Sequence, residues 1–422
     1  MRHIVFLSYF CDETENMKRY AILLLAGIAL FHNSAVNAQS SASTLDVVGW
    51  NLEFFGAPYN SGPADKDLQE ANAKKIMRYF DADIYGLVEI VDTTHLRKLR
   101  DSLGSNFEYI IAPYSTSGPI GTNGWRQDQK LAFMYKKDVF SNITTRGMML
   151  TSPTAVSNWA NGRVPFLMKA DATINGITKT INFIVIHGKS GSTASDYTRR
   201  LAGARELKDT LDAHFSTANI MIIGDYNDAL HTTIYTGASV SSYTSIVADS
   251  TDSDHYKSIT LPLGSARQTS MINFPNVIDN HIISNEVVPY YVLNSAQVRT
   301  DVTTQVPDYV TAHNTSDHYP VFSKYSLAGI ISGVTNVPPG EFGLKIFPNP
   351  FIRVVNITAL KPLTNVQLRL INMTGQVISS QAYGIINSGA TVKPSFPGIA
   401  SGVYLMHVET KQYKTIVKLV HF

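Results

Sequence analysis

The feature that most constrains the fold is a change of secondary-structure pattern near residue 340. From residue 44 to about residue 326, apolar runs typical of strands alternate with stretches of helical periodicity. Beyond residue 342, strand-like runs follow one another with only turn residues between them. Alternation indicates an α/β domain, whereas strands alone indicate a small β-sandwich. The chain of 422 residues is therefore expected to hold two domains, 44–326 and 342–422, joined by a linker over 327–341.

The first region contains several segments with clear periodicity. The nearly continuous apolar strand Ile181–Ile186 is followed by the longest helical pattern, which runs from about 195 to 214. The other expected helices are Ala64–Phe80 and Thr94–Leu103, and the other expected strands are Leu45–Trp50, Ile84–Ile90, Lys130–Tyr135, Phe166–Ala170, Ile220–Ile223, Val277–Ser284 and His318–Tyr325. Residues 228–276 lack strong periodicity and are expected to be mostly loops.

Composition excludes several classes of protein. Hydrophobic residues make up 44% and charged residues 16%, which argues against wholesale disorder and against a multi-span membrane protein. Residues 39–340 hold 24 basic and 28 acidic side chains, so no wide basic platform for nucleic acid is expected there, although a local patch is compatible with the composition. Residues 341–422 hold 8 basic and 2 acidic side chains, and this different balance supports a separate domain. The single cysteine, Cys11, excludes an intramolecular disulfide and a cysteine-based zinc site.

The N-terminal segment has the pattern of a secretory signal peptide. Lys18 and Arg19 precede the apolar run Ala21–Phe31, and Val36–Ala38 supplies small residues at a cleavage position. We therefore expect a signal peptide that ends at residue 38, with translation starting at Met17. The alternative is an N-terminal anchor, but the apolar run is short for a membrane span.

Polar side chains follow or interrupt the apolar strands. Asp225 and Asn227 come directly after Ile220–Ile223, and Asn51 comes after the first strand. Glu89 lies within an otherwise apolar run, where a carboxylate is costly unless something pairs with it. A hard divalent cation is a natural partner for such a carboxylate.

Each of these residues also has a purely structural explanation. Glu89 alone is explained by an ion pair on an edge strand, because unpaired buried carboxylates are rare. His187, at the end of Ile181–Ile186, has the alternative of being a hydrogen-bonded histidine of the core. Asp225 and Asn227 have the alternative of capping the turn that follows them. Only their combination indicates a site.

Six polar motifs occur in a fixed order along residues 44–326: Asn51, Glu89, His187, Gly224–Asn227, Asp279 and Ser316–His318. This order resembles the motifs of the endonuclease/exonuclease/phosphatase superfamily, in particular its deoxyribonuclease-like members. The resemblance implies an α/β fold in which two packed β-sheets are flanked by helices, a four-layer sandwich with the active site at one edge. It is specific to the superfamily and much less specific about the substrate.

The resemblance implies a Mg²⁺ site. Glu89 is the expected main ligand, and Asn51 and Asp317 are expected to complete or orient the coordination. So sparse a set of oxygen ligands suits Mg²⁺, with Mn²⁺ as an alternative.

The same resemblance implies catalytic roles for five residues. His318 is the expected general base that deprotonates water, and Asp279 the group that holds its imidazole in the right tautomer. Asp225 and Asn227 are expected to position the nucleophile and hold phosphate oxygens. His187 is expected to stabilise the developing charge or to protonate the leaving oxygen.

Two further positions leave alternatives open. Arg163 is expected either to contact a phosphate or to form a surface ion pair. Related nucleases carry a glutamate that partners the histidine at His187, and this chain has Gln129 there, with Asp128 beside it. A neutral amide stabilises an imidazolium less than a carboxylate does, which leaves the role of His187 as a general acid open.

Three arginines of the long helix are expected to form a solvated face, with phosphate contact as the alternative: Arg199, Arg200 and Arg205.

Residues 342–422 carry a second resemblance. Three motifs occur in order, Lys345–Pro350, Met373–Gln376 and Ala400–Tyr404, before a final strand Lys414–Val420. They resemble the C-terminal sorting domain of type IX secretion, which implies export across the outer membrane. The alternative is a carbohydrate-binding or adhesive sandwich, but few aromatic residues are available there for stacking on sugars.

The sequence as a whole predicts a secreted, Mg²⁺-dependent phosphodiesterase, an extracellular nuclease whose partners are nucleic acid and the type IX secretion machinery. No stable membrane span is expected. One alternative is a phosphoesterase that acts on phospholipid or inositol phosphate head groups, since the superfamily uses the same metal core for these. The other is a catalytically inactive binding module, against which the intact set of polar motifs speaks.

Overall fold

The structure is a computed structural model of the chain. It describes residues 44–59, 61–249, 254–328, 335–336, 339–372, 376–410 and 413–422. The expected signal peptide lies outside the described residues, as does part of the expected linker. In the described part of the chain, no helix combines the length and the apolar character that crossing a membrane requires.

Within the described residues of the first region, two six-stranded sheets carry the fold. In chain order the strands are β1 (Leu45–Phe55), β2 (Ile84–Ile90), β3 (Phe107–Ile111), β4 (Tyr114–Ser115), β5 (Gly118–Pro119), β6 (Lys130–Lys136), β7 (Phe140–Gly147), β8 (Phe166–Ile174), β9 (Ile177–His187), β10 (Ile220–Asp225), β11 (Tyr256–Ser258), β12 (Asp279–Ser284), β13 (Gln297–Val298) and β14 (Val321–Tyr325). The first sheet has the order β13-β14-β1-β2-β6-β3, and the second has the order β11-β12-β10-β9-β8-β7.

Helices connect many of these strands. They are α1 (Lys66–Phe80), α2 (Thr93–Leu103), α3 (Asn123–Gln127), α4 (Pro153–Asn158), α5 (Ala194–Phe215), α6 (Thr244–Val247) and α7 (Leu261–Ser265), with 3₁₀ helices at Val288–Tyr290 and Thr300–Thr304. Local sequence fixes the start of α1, where the Asp65 side chain accepts a hydrogen bond from Leu68 N. Thr193 and Asp196 form a reciprocal capping box at the start of α5.

Two apolar cores define four layers. One core lies between the sheets and includes Val47 and Ile84 of the first sheet and Val185 and Ile223 of the second, and it extends to Leu207 of α5. The other core packs α1 and α2 against the first sheet through residues such as Trp50, Ile76 and Leu96. The order of helices, sheet, sheet and helix confirms the expected four-layer α/β sandwich.

Two glycines allow the sheets to approach closely next to the site. A Cβ atom on Gly49 of β1 would lie 3.1 Å from Gly224 N and 3.0 Å from His281 Nε2. Gly224 has φ +124°, a backbone conformation that L side chains rarely adopt, and a Cβ atom there would lie 2.3 Å from Ile186 O. The ends of β1 and β10 therefore meet across the sandwich.

Six of the described strands of this region were not expected from the sequence: the very short β4, β5, β11 and β13, and the longer β3 and β7. The strands β3 and β7 are outermost in their sheets, and β7 has mostly exposed or half-buried positions, so its sequence lacks a buried apolar run. Residues 228–276 are mostly loops as expected, since their described part contains only the short elements α6, β11 and α7.

The described residues beyond 334 are almost entirely strands. They comprise β15 (Thr335–Asn336), the short helix α8 (Pro339–Phe342), β16 (Leu344–Phe347), β17 (Asn356–Ala359), β18 (Leu363–Asn372), β19 (Val377–Ile386), β20 (Thr391–Val392), β21 (Gly402–Glu409) and β22 (Tyr413–His421). One sheet has the order β15-β22-β21-β18-β19 and the other β16-β17-β20, around a core that includes Phe351, Ile357 and Met406. The expected small all-β domain is therefore confirmed.

Candidate active site

Strand register brings three of the expected site residues to one edge of the second sheet. Asp225, at the end of β10, pairs with His187 at the end of the parallel strand β9. On its other side Asp225 pairs with Asp279, the first residue of the antiparallel strand β12. Parallel strands end at the same edge of a sheet, and an antiparallel neighbour begins there, so the three side chains lie side by side.

Bulges at the ends of β1 and β2 place two residues of the first sheet at the same edge. The pairing of these strands shifts between Asn51 and Phe55, and Glu89 adopts φ +61°. Phe54 N donates to Glu89 Oε2 at 3.0 Å. The Asn51 amide bridges the two sheets, because its Nδ2 donates to Glu89 Oε1 at 3.2 Å and to Asp225 Oδ2 at 3.1 Å.

His318 is held from two directions in the segment that leads into β14. Its Nδ1 lies 2.7 Å from Asp279 Oδ2, which also accepts a hydrogen bond from the Ser270 hydroxyl at 2.7 Å. The Ser316 hydroxyl donates to Asn51 O at 2.7 Å and accepts from His318 N at 3.0 Å, which ties this segment to β1. The His318 ring is thus oriented with Nε2 turned away from Asp279, 4.0 Å from Asp225 Oδ2.

These groups face a cleft of about 370 Å³. The residues that line it are Glu53, Phe54, Glu89, Gln129, Arg163, His187, Ser190, Asp225, Asn227, Met271, Asp317 and His318. Seven of the nine expected site residues are therefore in the lining. The other two, Asn51 and Asp279, are buried behind it and bond directly to lining residues.

Negative charge dominates the electrostatics of the cleft. Burial and the nearby charge of Asp279 raise the pKa of Asp225 to about 7. Burial also raises the pKa of Glu89, against the charges of Arg163 and His318. Burial lowers the pKa of His318, but the charge and hydrogen bond of Asp279 outweigh burial and hold that pKa well above its ordinary value.

His187 has the opposite character. Burial and the positive charge of Arg163 hold the pKa of His187 well below its ordinary value, so the imidazole is neutral at neutral pH. Its Nε2 lies 3.6 Å from Glu89 Oε1 and 3.7 Å from Asp225 Oδ2. Its Nδ1 has no hydrogen-bond partner among the described residues.

Arg163 is a residue of the cleft and not of the surface. Its relative exposure is 8%, so the alternative of a surface ion pair is wrong. Its Nη1 donates to the Gln129 amide oxygen, and the charges of Glu89 and Asp225 act on it. Gln129 therefore holds the arginine, and the bond from position 129 to the histidine, which the resemblance suggested, is absent among the described contacts.

The donor set fits a hard divalent cation. Glu89 and Asp225 are buried carboxylates whose pKa is raised, which means that their negative charge lacks sufficient compensation in the protein. Asp279 Oδ1 has no hydrogen-bond partner among the described residues. Carboxylate oxygens are ligands that Mg²⁺ and Mn²⁺ prefer. Asp225, Asp279 and His318 also lie close enough together to hold an ion, but the bond between His318 and Asp279 already occupies two of these groups.

Two contributors were missed at the sequence level. Glu53 lies 2.6 Å through Oε1 from His313 Nε2 and accepts a hydrogen bond from Asp317 N at 2.9 Å, so it supports the segment that carries Asp317. The sequence did offer a signal for Glu53, because it follows Asn51 by two residues just after the expected first strand. Ser270, which bonds to Asp279, lies in a region without periodicity and offered no signal.

The expectation of a solvated helix face is wrong for Arg200, whose relative exposure is 2%. Its Nη1 donates to Lys189 O and Gly191 O, each at 2.7 Å, in the loop that carries Ser190 of the cleft. Its Nε lies 3.9 Å from Asp228 Oδ2, and both side chains are fully buried. Arg205 of the same helix is exposed, as expected.

A family model matches the C-terminal part of the chain, and solved structures match a larger part of it. Residues 345–421 match the family described as secretion system C-terminal sorting domain. No curated protein sequence matches the chain significantly. Among solved structures, an endonuclease/exonuclease/phosphatase from Beutenbergia cavernae is 13% identical with a TM-score of 0.48, over 90% of this chain and 100% of the other. An endonuclease/exonuclease/phosphatase from Bacteroides vulgatus is 14% identical with a TM-score of 0.46, over 67% and 99%.

A third similar structure is the human Nocturnin catalytic domain with a bound sulfate anion, 14% identical with a TM-score of 0.44, over 67% of this chain and 94% of the other. The match to the sorting domain confirms the expected export to the cell surface or the extracellular space. Residues 345–421 therefore belong to a secretion-system C-terminal sorting domain, and the region before them has the two packed six-stranded sheets that the sequence predicts.

Proposed function

We propose that this chain is a secreted, metal-dependent phosphodiesterase that hydrolyses nucleic acid. The observation that carries the proposal is the pairing of His318 with Asp279 at the wall of a cleft that also holds Glu89, Asp225 and Arg163. A histidine fixed by a buried carboxylate is suited to take a proton from water. A buried arginine in the same cleft is suited to hold a phosphate.

The two histidines are suited to opposite tasks. Asp279 fixes Nδ1 of His318, and its charge raises the pKa of the imidazole. The positive charge of a bound divalent cation would lower that pKa, so that Nε2, which lies 3.8 Å from Asp317 Oδ1, can accept a proton from the attacking water. His187 is neutral and has an Nε2 that faces Glu89 and Asp225, so it acts as a hydrogen-bond donor to a phosphoryl oxygen or to the leaving oxygen.

Asp225 and Asn227 complete the binding of the reacting groups. Asn227 Nδ2 donates to Asp225 Oδ2 at 3.2 Å and to Gly188 O at 3.2 Å, and its backbone N donates to Asp225 Oδ1 at 2.7 Å. These bonds fix the Asp225 carboxylate at the centre of the site, where it orients water. The Asn227 amide would hold a phosphate oxygen by giving up one of its two Nδ2 bonds.

A divalent cation held by Glu89 and Asp317, with Asn51 orienting the Glu89 carboxylate through its Nδ2, would supply positive charge that offsets the buried carboxylates and stabilises negative charge on a bound phosphate. Mg²⁺ is the proposed ion, and Mn²⁺ its substitute.

The test is a panel of substrates, measured with Mg²⁺ and with EDTA: plasmid DNA, RNA, bis-p-nitrophenyl phosphate and sphingomyelin vesicles. Mg²⁺-dependent cleavage of DNA or RNA that His318→Ala abolishes supports the proposal. Hydrolysis of sphingomyelin alone would favour the alternative of a phospholipid phosphoesterase. Inactivity on all four substrates, with oligonucleotide binding retained, would favour an inactive binding module.

A further inference from the structure

An aromatic pair lies at the edge of the cleft. Phe54 is part of the lining, and the centroid of its ring lies 6.3 Å from that of Tyr59 with the ring planes 77° apart. Tyr59 is 38% exposed. Among the twelve described lining residues only Phe54 and Met271 are apolar, so this pair provides two apolar ring faces, nearly perpendicular to each other, beside a highly polar site.

The backbone presents Phe54 in an unfavourable conformation. Glu53 and Phe54 have φ values of +46° and +47°. Residues other than glycine rarely adopt this backbone conformation, which costs of order 1 kcal/mol or more for each residue. Phe54 N is held there by Glu89 Oε2, so the strained conformation is tied to the expected metal ligand. Non-glycine residues keep such conformations mainly where the surrounding structure enforces them, and these sites are often functional.

Neighbouring groups hold the pair in place. Gly62 packs directly behind it, since a Cβ atom there would lie 2.5 Å from Glu53 O and 3.2 Å from Phe54 Cβ. The Tyr59 hydroxyl donates to Gln127 O at 2.9 Å, two residues before Gln129. The pair is therefore connected to the segment that positions Arg163 and is preorganised relative to the phosphate position.

The size and orientation of the two rings suit one class of ligand. A phosphate bound between Arg163 and His318 has two ester substituents. Phe54 in the cleft lining, and Tyr59 next to Phe54 outside the lining, are available to such a substituent. Aromatic side chains stack on nucleobases and do so without regard to sequence. The two rings provide enough apolar contact area for one planar ring of a ligand. They provide too little apolar area for the two acyl chains of a phospholipid.

We propose that Phe54 and Tyr59 form a stacking subsite for a nucleobase next to the scissile phosphate. The substrate is then a nucleic acid strand whose bases are accessible, so a single strand is preferred to a duplex. This inference rests on the proposed function, which it extends by naming the ring-bearing group that the site recognises.

The test compares the full chain with Phe54→Leu and Tyr59→Leu, and uses Tyr79→Leu as a control because Tyr79 is similarly exposed, at 44%, and lies on α1 outside the cleft lining. The substrates are a single-stranded oligonucleotide and the same oligonucleotide with abasic residues around the cleavage position. Loss of a stacked base is expected to raise KM for the intact oligonucleotide by about tenfold or more, with kcat changed by less than about threefold. Wild type and variants should have the same KM on the abasic substrate, and Phe54→Tyr should restore the wild-type value.

Binding of the fluorescent intact oligonucleotide in EDTA, followed by anisotropy, separates this inference from the proposed function. Tenfold weaker binding by Phe54→Leu supports the subsite even if the wild type cleaves no nucleic acid, in which case only the proposed function fails. The subsite is overturned if the wild type cleaves the oligonucleotide and both leucine variants have the wild-type KM and the wild-type affinity. An equal increase in KM of the variants on the intact and the abasic oligonucleotide also overturns the subsite. So does a change in activity that is seen only with sphingomyelin vesicles. If Phe54→Leu unfolds, the Tyr59→Leu and Phe54→Tyr variants decide the question.

Discussion

Asp279 Oδ2 accepts two hydrogen bonds of 2.7 Å, one from the Ser270 hydroxyl and one from His318 Nδ1. The carboxylate is buried, so the imidazole has little freedom to turn. The geometry defines His318 and Asp279 as a unit that has a single orientation.

Because the two residues act as a unit, their variants should not combine additively. His318→Ala and Asp279→Asn should each lower kcat, His318→Ala by about 10²–10⁴-fold. The double variant should be little worse than the more severe single variant. Asp308→Asn, at an exposed position, is the control. Steady-state kinetics with all four proteins checks this, and strictly multiplicative losses would show that Asp279 acts independently of His318.

Removing the charge of Glu89 should weaken metal dependence. Glu89→Gln preserves shape and can still accept from Phe54 N, but it removes one negative charge from the proposed cation site. The rate should fall by about 10²-fold or more, and the Mg²⁺ concentration for half-maximal rate should rise. Glu108→Gln, a charge change at an ion pair with Arg100 outside the cleft lining, is the control. Unchanged turnover at limiting Mg²⁺ would rule out Glu89 as a ligand.

Arg200 should matter for stability, unlike its neighbour Arg205. Arg200→Met leaves the buried Asp228 carboxylate without its cation and frees the carbonyls of Lys189 and Gly191. Breaking a buried pair in this way costs about 3–5 kcal/mol. Arg205→Met, on the exposed side of the same helix, should change the free energy of unfolding by less than about 0.5 kcal/mol. Urea denaturation of both variants measures the difference, and similar small effects would contradict the structural role.

The capping box of α5 predicts a pH dependence. Burial raises the pKa of Asp196, but hydrogen bonds from Lys189 and Thr193 outweigh burial and lower that pKa from 3.8 to about 2. A lowered pKa stabilises the fold above about pH 4, and this stabilisation is lost as the pH falls from about 4 to about 2. Asp196→Ala should therefore destabilise the chain by roughly 0.5–1 kcal/mol at pH 7.

Thermal unfolding at pH 7 and at pH 2.5 checks this prediction, with Asp209→Ala at an exposed position of the same helix as the control. The difference between Asp196→Ala and the wild type should shrink at the lower pH. A constant difference would mean that the charge of Asp196 contributes nothing.

Deleting the sorting domain should leave the enzyme active. The two-sheet domain has its own two cores and all the site residues, and the C-terminal strands pack around a third core. Removal of residues 341–422 also removes a net charge of +6 (8 basic minus 2 acidic residues). We expect affinity for DNA and its salt dependence to change little, as measured by fluorescence anisotropy over a range of salt concentrations. A folded but inactive product with a much shallower salt slope would show that the tail binds nucleic acid.

The site was largely predictable because its residues lie at the ends of strands that the sequence reveals. Asp225 and Asn227 follow a buried strand, and Glu89 interrupts another, so the polar residues stand out against apolar neighbours. Their convergence could not be derived from periodicity, because Asn51 meets Asp225 only through the packing of one sheet on the other.

What the sequence did not reveal depends on tertiary contacts. The burial of Arg200 is set by Asp228 and by two carbonyls of the preceding loop, whereas periodicity places a charged residue on the surface. Gln129 bonds to Arg163 and not to His187, because the guanidinium lies within its reach in the folded cleft. The edge strand β7 lacks the apolar run that identified the central strands.

The division of the candidate site between two sheets also determines when that site can form during folding. His187, Asp225 and Asp279 lie on one sheet and Asn51 and Glu89 on the other, joined across the interface by the Asn51 amide. A chain in which either sheet has formed alone therefore holds only part of the proposed site. Neither sheet can carry out the proposed reaction by itself, so the proposed site exists only in a chain whose two sheets have packed on each other.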